Sequence, residues 1–255
     1  MRRREKFVIS TIVLTFVFFT LQYVSLEWRY WAIGGLSFLT YLTASWALSD
    51  DLQFYERITI VPFPALYAAA VSLFYFLLPG NLFSQISILV LFGIGLYGLF
   101  LTSNIYSVAK ERTIQLLYAA NAVGLFLTLL TSLLFTNTIF SLSLPFWANG
   151  LLVGLIHFPI IFMSLWSINL ENFIAKELLI YTLLISVTLV EFASLISLIP
   201  VPLWNASLFI TGAVYLVLGI LHSFLRGRLF KNTMTEYSLV AIMLALLFLV
   251  FFPFK

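Results

Sequence analysis

The chain has 255 residues, of which 62% are hydrophobic and 9% charged, with a net charge of +3. A soluble domain carries about 25% charged residues, and this composition could not cover a water-facing surface, so a soluble fold is excluded. The basic residues sit between apolar runs and form no stripe with interleaved aromatics, which excludes nucleic acid as a partner and leaves the lipid bilayer.

The N-terminus reads Arg2-Arg3-Arg4-Glu5-Lys6 and then an apolar run over 7–26. A secretory signal begins in a similar way but has a shorter apolar core and a small-residue cleavage site. This run matches the ~20 residues that cross ~30 Å of hydrocarbon, and Leu26-Glu27-Trp28-Arg29 offers no such site. It is expected to be an uncleaved first membrane helix that also targets the chain.

Further apolar segments follow over 30–48, 59–78, 83–103, 114–135, 145–168, 177–199, 203–224 and 237–253, each bounded by charge, proline or a polar cluster. Between the second and third, Asp50, Asp51, Glu56 and Arg57 form the most acidic loop, read as a solvated turn. Pro62 and Pro64 shape how the third segment begins. Glu56-Arg57-Ile58 and Glu111-Arg112-Thr113 are alike, and each leads to Tyr followed by alanines (Tyr67-Ala68-Ala69, Tyr118-Ala119-Ala120). That spacing is read as the period of two helices plus loops, with a duplicated helical hairpin as the sharper alternative. The last segment is short and ends at Phe252-Pro253-Phe254-Lys255. The expected fold is all-α: a polytopic transmembrane helix bundle of about nine spans, forming a single integral membrane domain over 1–255.

Charge sets the expected orientation. With the N-terminus in the cytoplasm, the inward connections hold Arg2, Arg3, Arg4, Lys6, Arg57, Lys110, Arg112, Lys176, Arg226, Arg228 and Lys231, and the outward ones hold Arg29 and Lys255. Eleven against two is the asymmetry of the positive-inside rule. It places the C-terminus outside and fits the plasma (inner) membrane. Trp28, Trp31, Trp147 and Trp204 fall near outer segment ends, and Trp46 and Trp166 near inner ends, where amphipathic rings are well placed.

Cysteine is absent and there are two histidines, so no thiolate chemistry, metal site or cofactor is expected. No G-x-x-x-x-G-K-[ST] or G-x-G-x-x-G stretch offers a nucleotide site. Asn205-Ala206-Ser207 matches a glycosylation sequon but lies too near the membrane to be used.

A titratable group deep in a bilayer costs about 2.5–3.5 kcal/mol on insertion scales. His157 and Glu191 qualify, near the middles of the sixth and seventh segments. These form a hairpin turning near Asn172, which puts the two at depths about 6 Å apart. Contact between them would allow an ion pair or a shared proton. Gly150, Gly154 and His157 follow i, i+4, i+7, and the two glycines form a GxxxG pair that lets helices approach closely. Pro159 leaves the carbonyl of Leu155 without its helical donor, so a kink with a small polar pocket beside His157 is expected. Thr188, Glu191 and Ser194 are read as one stripe, and Tyr118, Asn121, Thr128 and Ser132 as another. The candidate buried polar site is therefore His157, Glu191, Asn121, Thr188 and Ser194. Arg226, Arg228, Lys231 and His222 form a candidate cytoplasmic basic interface for anionic lipid headgroups.

Three function classes follow. The first is a small permease-like carrier with a polar core around His157 and Glu191. The second is a non-catalytic scaffold or subunit assembling with other membrane proteins. The third and weakest is an intramembrane enzyme on a lipid-linked substrate, because the loops supply few acidic, basic or metal-ligating residues.

Overall fold

The computed structural model describes residues 3–25, 27–49, 52–109, 116–171 and 173–251. Arg2, Leu26, Asp50, Asp51, Lys110, Glu111-Arg112-Thr113, Asn172 and the Phe252–Lys255 end lie outside the described residues. The helices are α1 (Arg3–Leu21), α2 (Arg29–Ala47), α3 (Glu56–Thr59), α4 (Pro62–Tyr75), α5 (Leu82–Ala109), α6 (Leu116–Ser141), α7 (Phe146–Asn169), α8 (Lys176–Ser197), α9 (Leu203–Leu225) and α10 (Lys231–Phe251). There is no strand among the described residues. The chain is an all-α, multi-pass membrane protein.

Among the described residues seven segments are long and apolar enough to cross a membrane: α3 running into α4, and α5 through α10. The other two long helices, α1 and α2, have 19 residues each. The first turns of α1 hold Arg3, Arg4, Glu5 and Lys6, and α2 carries Arg29, Ser37, Thr40 and Thr43.

Helix ends differ from the sequence expectation in an instructive way. The fourth and fifth segments were expected to stop at 103 and 135, but α5 continues to Ala109 and α6 to Ser141. The stretches around and beyond those expected ends are polar and yet largely buried: Thr102, Ser103, Ser107, Thr136, Asn137 and Thr138. Hydroxyls in helices can bond the carbonyl a turn back, which removes the need to stop. Thr102 does so to Gly98 at 2.8 Å, and Thr138 to Leu134 at 2.9 Å. The third segment is broken between α3 and α4. Pro62 has no N–H to continue the ladder and begins α4 as a first-turn proline. The last helix begins at Lys231, six residues before the expected 237.

The helices gather into two compact units. The first is Met1–Leu127 with Leu170–Phe173, and the second is Thr128–Asn169 with Ile174–Lys255. In the first, α1 buries Phe7, Thr11, Leu14, Phe18 and Leu21, one stripe of helical period. Phe18 stacks on Phe92 at 4.5 Å between centroids, and Phe7 on Phe100 at 6.1 Å. The Tyr67 hydroxyl donates to the Leu91 carbonyl at 2.6 Å, and its ring fills the space that glycine leaves at Gly95. In the second unit α7 is central: Ile160 through Ile168 are all buried. The described residues of α10 pack against α9, through Leu244 on Gly212, Tyr237 on Gly219 and Phe248 on Phe209.

Candidate functional site

The α7–α8 hairpin of the second unit carries the residues the sequence singled out. Gly150 faces the Ser194 side chain and the Val190 backbone, and Gly154 faces Val190 and the Ser186 carbonyl. This antiparallel register levels Glu191 with Val153, one turn from His157. At the ends of the hairpin Asn149 Nδ2 donates to Ser197 Oγ at 3.0 Å and to the Leu144 carbonyl at 3.3 Å.

His157 is fully buried, with Nδ1 2.8 Å from the Val153 carbonyl and Nε2 2.7 Å from Ser132 Oγ. A carbonyl can only accept, so Nδ1 carries the proton, and a neutral ring then accepts the Ser132 hydroxyl at Nε2. The histidine is thus a fully satisfied link between α6 and α7. The helix runs on through Pro159 to Asn169.

Glu191 is not beside it. Glu191 and Thr188 lie on the exposed face of α8, and the Thr188 hydroxyl returns to its own helix at the Leu184 carbonyl, 2.9 Å away. The expected His157–Glu191 pair is therefore not formed among the described residues. The reason is azimuth. Residues Val190 and Ser194 face α7, and Glu191 is one residue and about 100° round the helix from Val190. Glu191 is also not central, lying six residues inside the Ser197 end. The Thr188–Glu191–Ser194 stripe fails similarly, because steps of three drift by about 60° each. The polar stripe against α7 is instead Ser186 and Ser194, either side of Val190.

The stripe expected on α6 also divides. Tyr118 is exposed and Asn121 half-buried in the first unit, whereas Thr128 and Ser132 are buried in the second. Asn121 and His157 belong to different units. In the expected basic interface, Arg228 and Lys231 are exposed and Arg226 is half-buried. His222 turns inward, with Nε2 3.3 Å from Ser164 Oγ on α7. Trp166, expected near an interface, is 2% exposed, whereas the other five tryptophans are exposed.

One residue was misread. Glu56, taken as part of a solvated turn, is 0% exposed in the first unit. Its Oε2 accepts the Gln53 backbone N–H at 3.1 Å and the Ser107 hydroxyl at 2.8 Å. The sequence held no pattern that separates Glu56 from the carboxylates beside it in that loop. A lipid-facing groove of about 530 Å³ lies between α1 and α5, lined by Ile12, Phe16, Leu89 and Ile94 among others.

No family model matches the chain, and neither the curated proteins nor the solved structures compared with it give a match.

Proposed function

We propose that this chain is a non-catalytic subunit or scaffold of a larger membrane assembly, sited in the plasma (inner) membrane with its N-terminus in the cytoplasm. One observation carries the reading: the buried histidine of α7 and the glycine face beside it are spent on packing. Both His157 nitrogens are bonded within the second unit, and the space beside Gly150 and Gly154 is filled by α8. A carrier needs polar groups that exchange protein partners for solute or water. Here the buried histidine between α6 and α7 has both ring nitrogens committed.

The permease-like carrier is the second reading. It draws on the buried hydroxyl run Thr128, Thr131 and Ser132 leading to His157.

The absence of cysteine makes every single-cysteine variant a clean reporter. Ser132→Cys and Ser186→Cys are expected to resist a membrane-impermeant thiol reagent in intact membranes, while Asn81→Cys in an exposed connection reacts. The native chain, extracted in mild detergent from the cells that make it, is expected to migrate as a discrete assembly larger than its own 29.0 kDa. Labelling of Ser132→Cys with a monomeric native chain would overturn the subunit reading in favour of the carrier.

A further inference from the structure

We propose that the outward face of α8 around Glu191 is a docking surface for a transmembrane helix of another membrane protein that carries a lysine or arginine at the same depth. This rests on the subunit reading and names the face and the partner's chemistry.

Glu191 lies six residues inside the Ser197 end of α8, about 9 Å along the axis. The face around it is otherwise apolar and exposed: Leu184, Val187 and Leu195 flank it, with Thr188 one turn below. The Thr188 hydroxyl is already bonded to its own backbone and offers Glu191 nothing. Among the described residues Glu191 has no hydrogen-bond or ion-pair partner. It cannot easily lift its carboxyl to the nearer interface, because helical Cα–Cβ bonds tilt toward the N-terminus, which here means deeper into the membrane. A carboxyl facing hydrocarbon is strongly unfavourable and marks a site where a partner is supplied.

Charge complementarity decides which partner. A second copy, packed face to face about a two-fold axis, would set Glu191 against Glu191. Among the described residues the lysines and arginines lie outside or at the ends of the helices, so a second copy brings none of these cations to that depth. A foreign helix with a Lys or Arg there satisfies the carboxyl and lays an apolar stripe on Val187 and Leu195.

The test places a photo-crosslinking amino acid at Val187 or Leu195, with Ile242 on α10 as the off-face control, in the full chain in its own cells. Expected is one discrete protein adduct from both α8 positions and none from Ile242. The peptide joined to it, read by mass spectrometry, should come from a transmembrane segment containing Lys or Arg. Glu191→Gln should lower the adduct yield about tenfold, as expected for loss of a desolvated charge pair, and Glu191→Asp should retain part of it. Because Glu191 is exposed, neither variant should alter extraction or thermal stability of the chain. An adduct to a second copy, within the chain, or to lipid alone overturns the proposal. So does an adduct indifferent to Glu191→Gln. A larger native assembly that persists without any α8 adduct sinks this inference and leaves the subunit reading standing, whereas a monomeric native chain removes both.

Discussion

Gly150 is where a single methyl group would be felt most. A Cβ there would stand 2.7 Å from the Val190 carbonyl oxygen, a backbone atom that cannot swing aside. Gly150→Ala should therefore destabilise the detergent-solubilised protein by about 1–3 kcal/mol, the range for overpacking. Gly34→Ala in α2, with nothing within 4 Å, should leave the midpoint unchanged or raise it. A thermal melt of the two variants beside the parent checks both, and equal shifts would refute close packing as the role of Gly150. The Ser132–His157 bond is testable by a double-mutant cycle with Ser132→Ala and His157→Leu. Its coupling should be about 0.6 kcal/mol and not above about 1.7, the span measured for interhelical bonds in membranes. These residues also show what the sequence could yield. The GxxxG pair and the place of His157 along α7 were legible, because both depend only on spacing. The partner of Glu191 was not, since it depends on which side of α8 meets α7. A one-residue difference, Val190 in place of Glu191, decides that and leaves no trace in hydropathy.

At the scale of elements, segment existence was legible and segment ends were not. Long apolar runs announce helices because no other structure satisfies the backbone in hydrocarbon. Their ends were set at the first polar cluster, and that rule failed twice. Thr102 to Ser107 and Thr136 to Ser141 are polar but stay helical, with hydroxyls such as Thr102, Thr138 and Ser141 bonded to carbonyls of the preceding turn. The same polar stretch of α5 receives α3. Ser107 donates to Glu56, and Glu56 also takes the Gln53 N–H, so one buried carboxylate fixes where α3 begins and what it rests on. Glu56→Ala leaves buried donors without that acceptor, at a cost of about 1–3 kcal/mol. The segment from Leu52 to Val61 should then open to protease before the rest of the chain unfolds. Glu56→Gln, which keeps an acceptor oxygen, should be cut more slowly. Identical cleavage of parent and Glu56→Ala would mean that α3 is held by something else.

The whole molecule poses a question of parity. Within the first unit, Lys6 lies 5.8 Å over the Trp46 ring, joining the start of α1 to the end of α2. Arg29, at the start of α2, lies 5.8 Å from the Phe76 ring at the end of α4. Those contacts put successive helix ends on opposite sides, as alternate crossing requires. In the second unit Asn149 and Ser197 pair near one end of α7, and Ser164 and His222 pair toward the other. Among the described residues seven segments meet the apolar length for crossing, with α1 and α2 outside that set. Nine spans and seven are both odd, so a reporter on the C-terminus cannot tell them apart. The connection between α1 and α2 can. If both cross, Glu27 is outside; if neither does, it stays with the N-terminus. Lysines and arginines favour crossing, because Arg3, Arg4 and Lys6 at one end of α1 are balanced by Arg29 alone at the other. Alkaline phosphatase inserted after Glu27 should therefore be active, as it should after Asn81, Ser143 and Val201. A fluorescent protein should fold after Glu171 and Leu229. Inactive phosphatase at Glu27 alone would leave seven spans and turn α1 and α2 into helices that lie along the membrane surface. Activity at Glu171 or Leu229 would reverse the orientation expected from the basic residues.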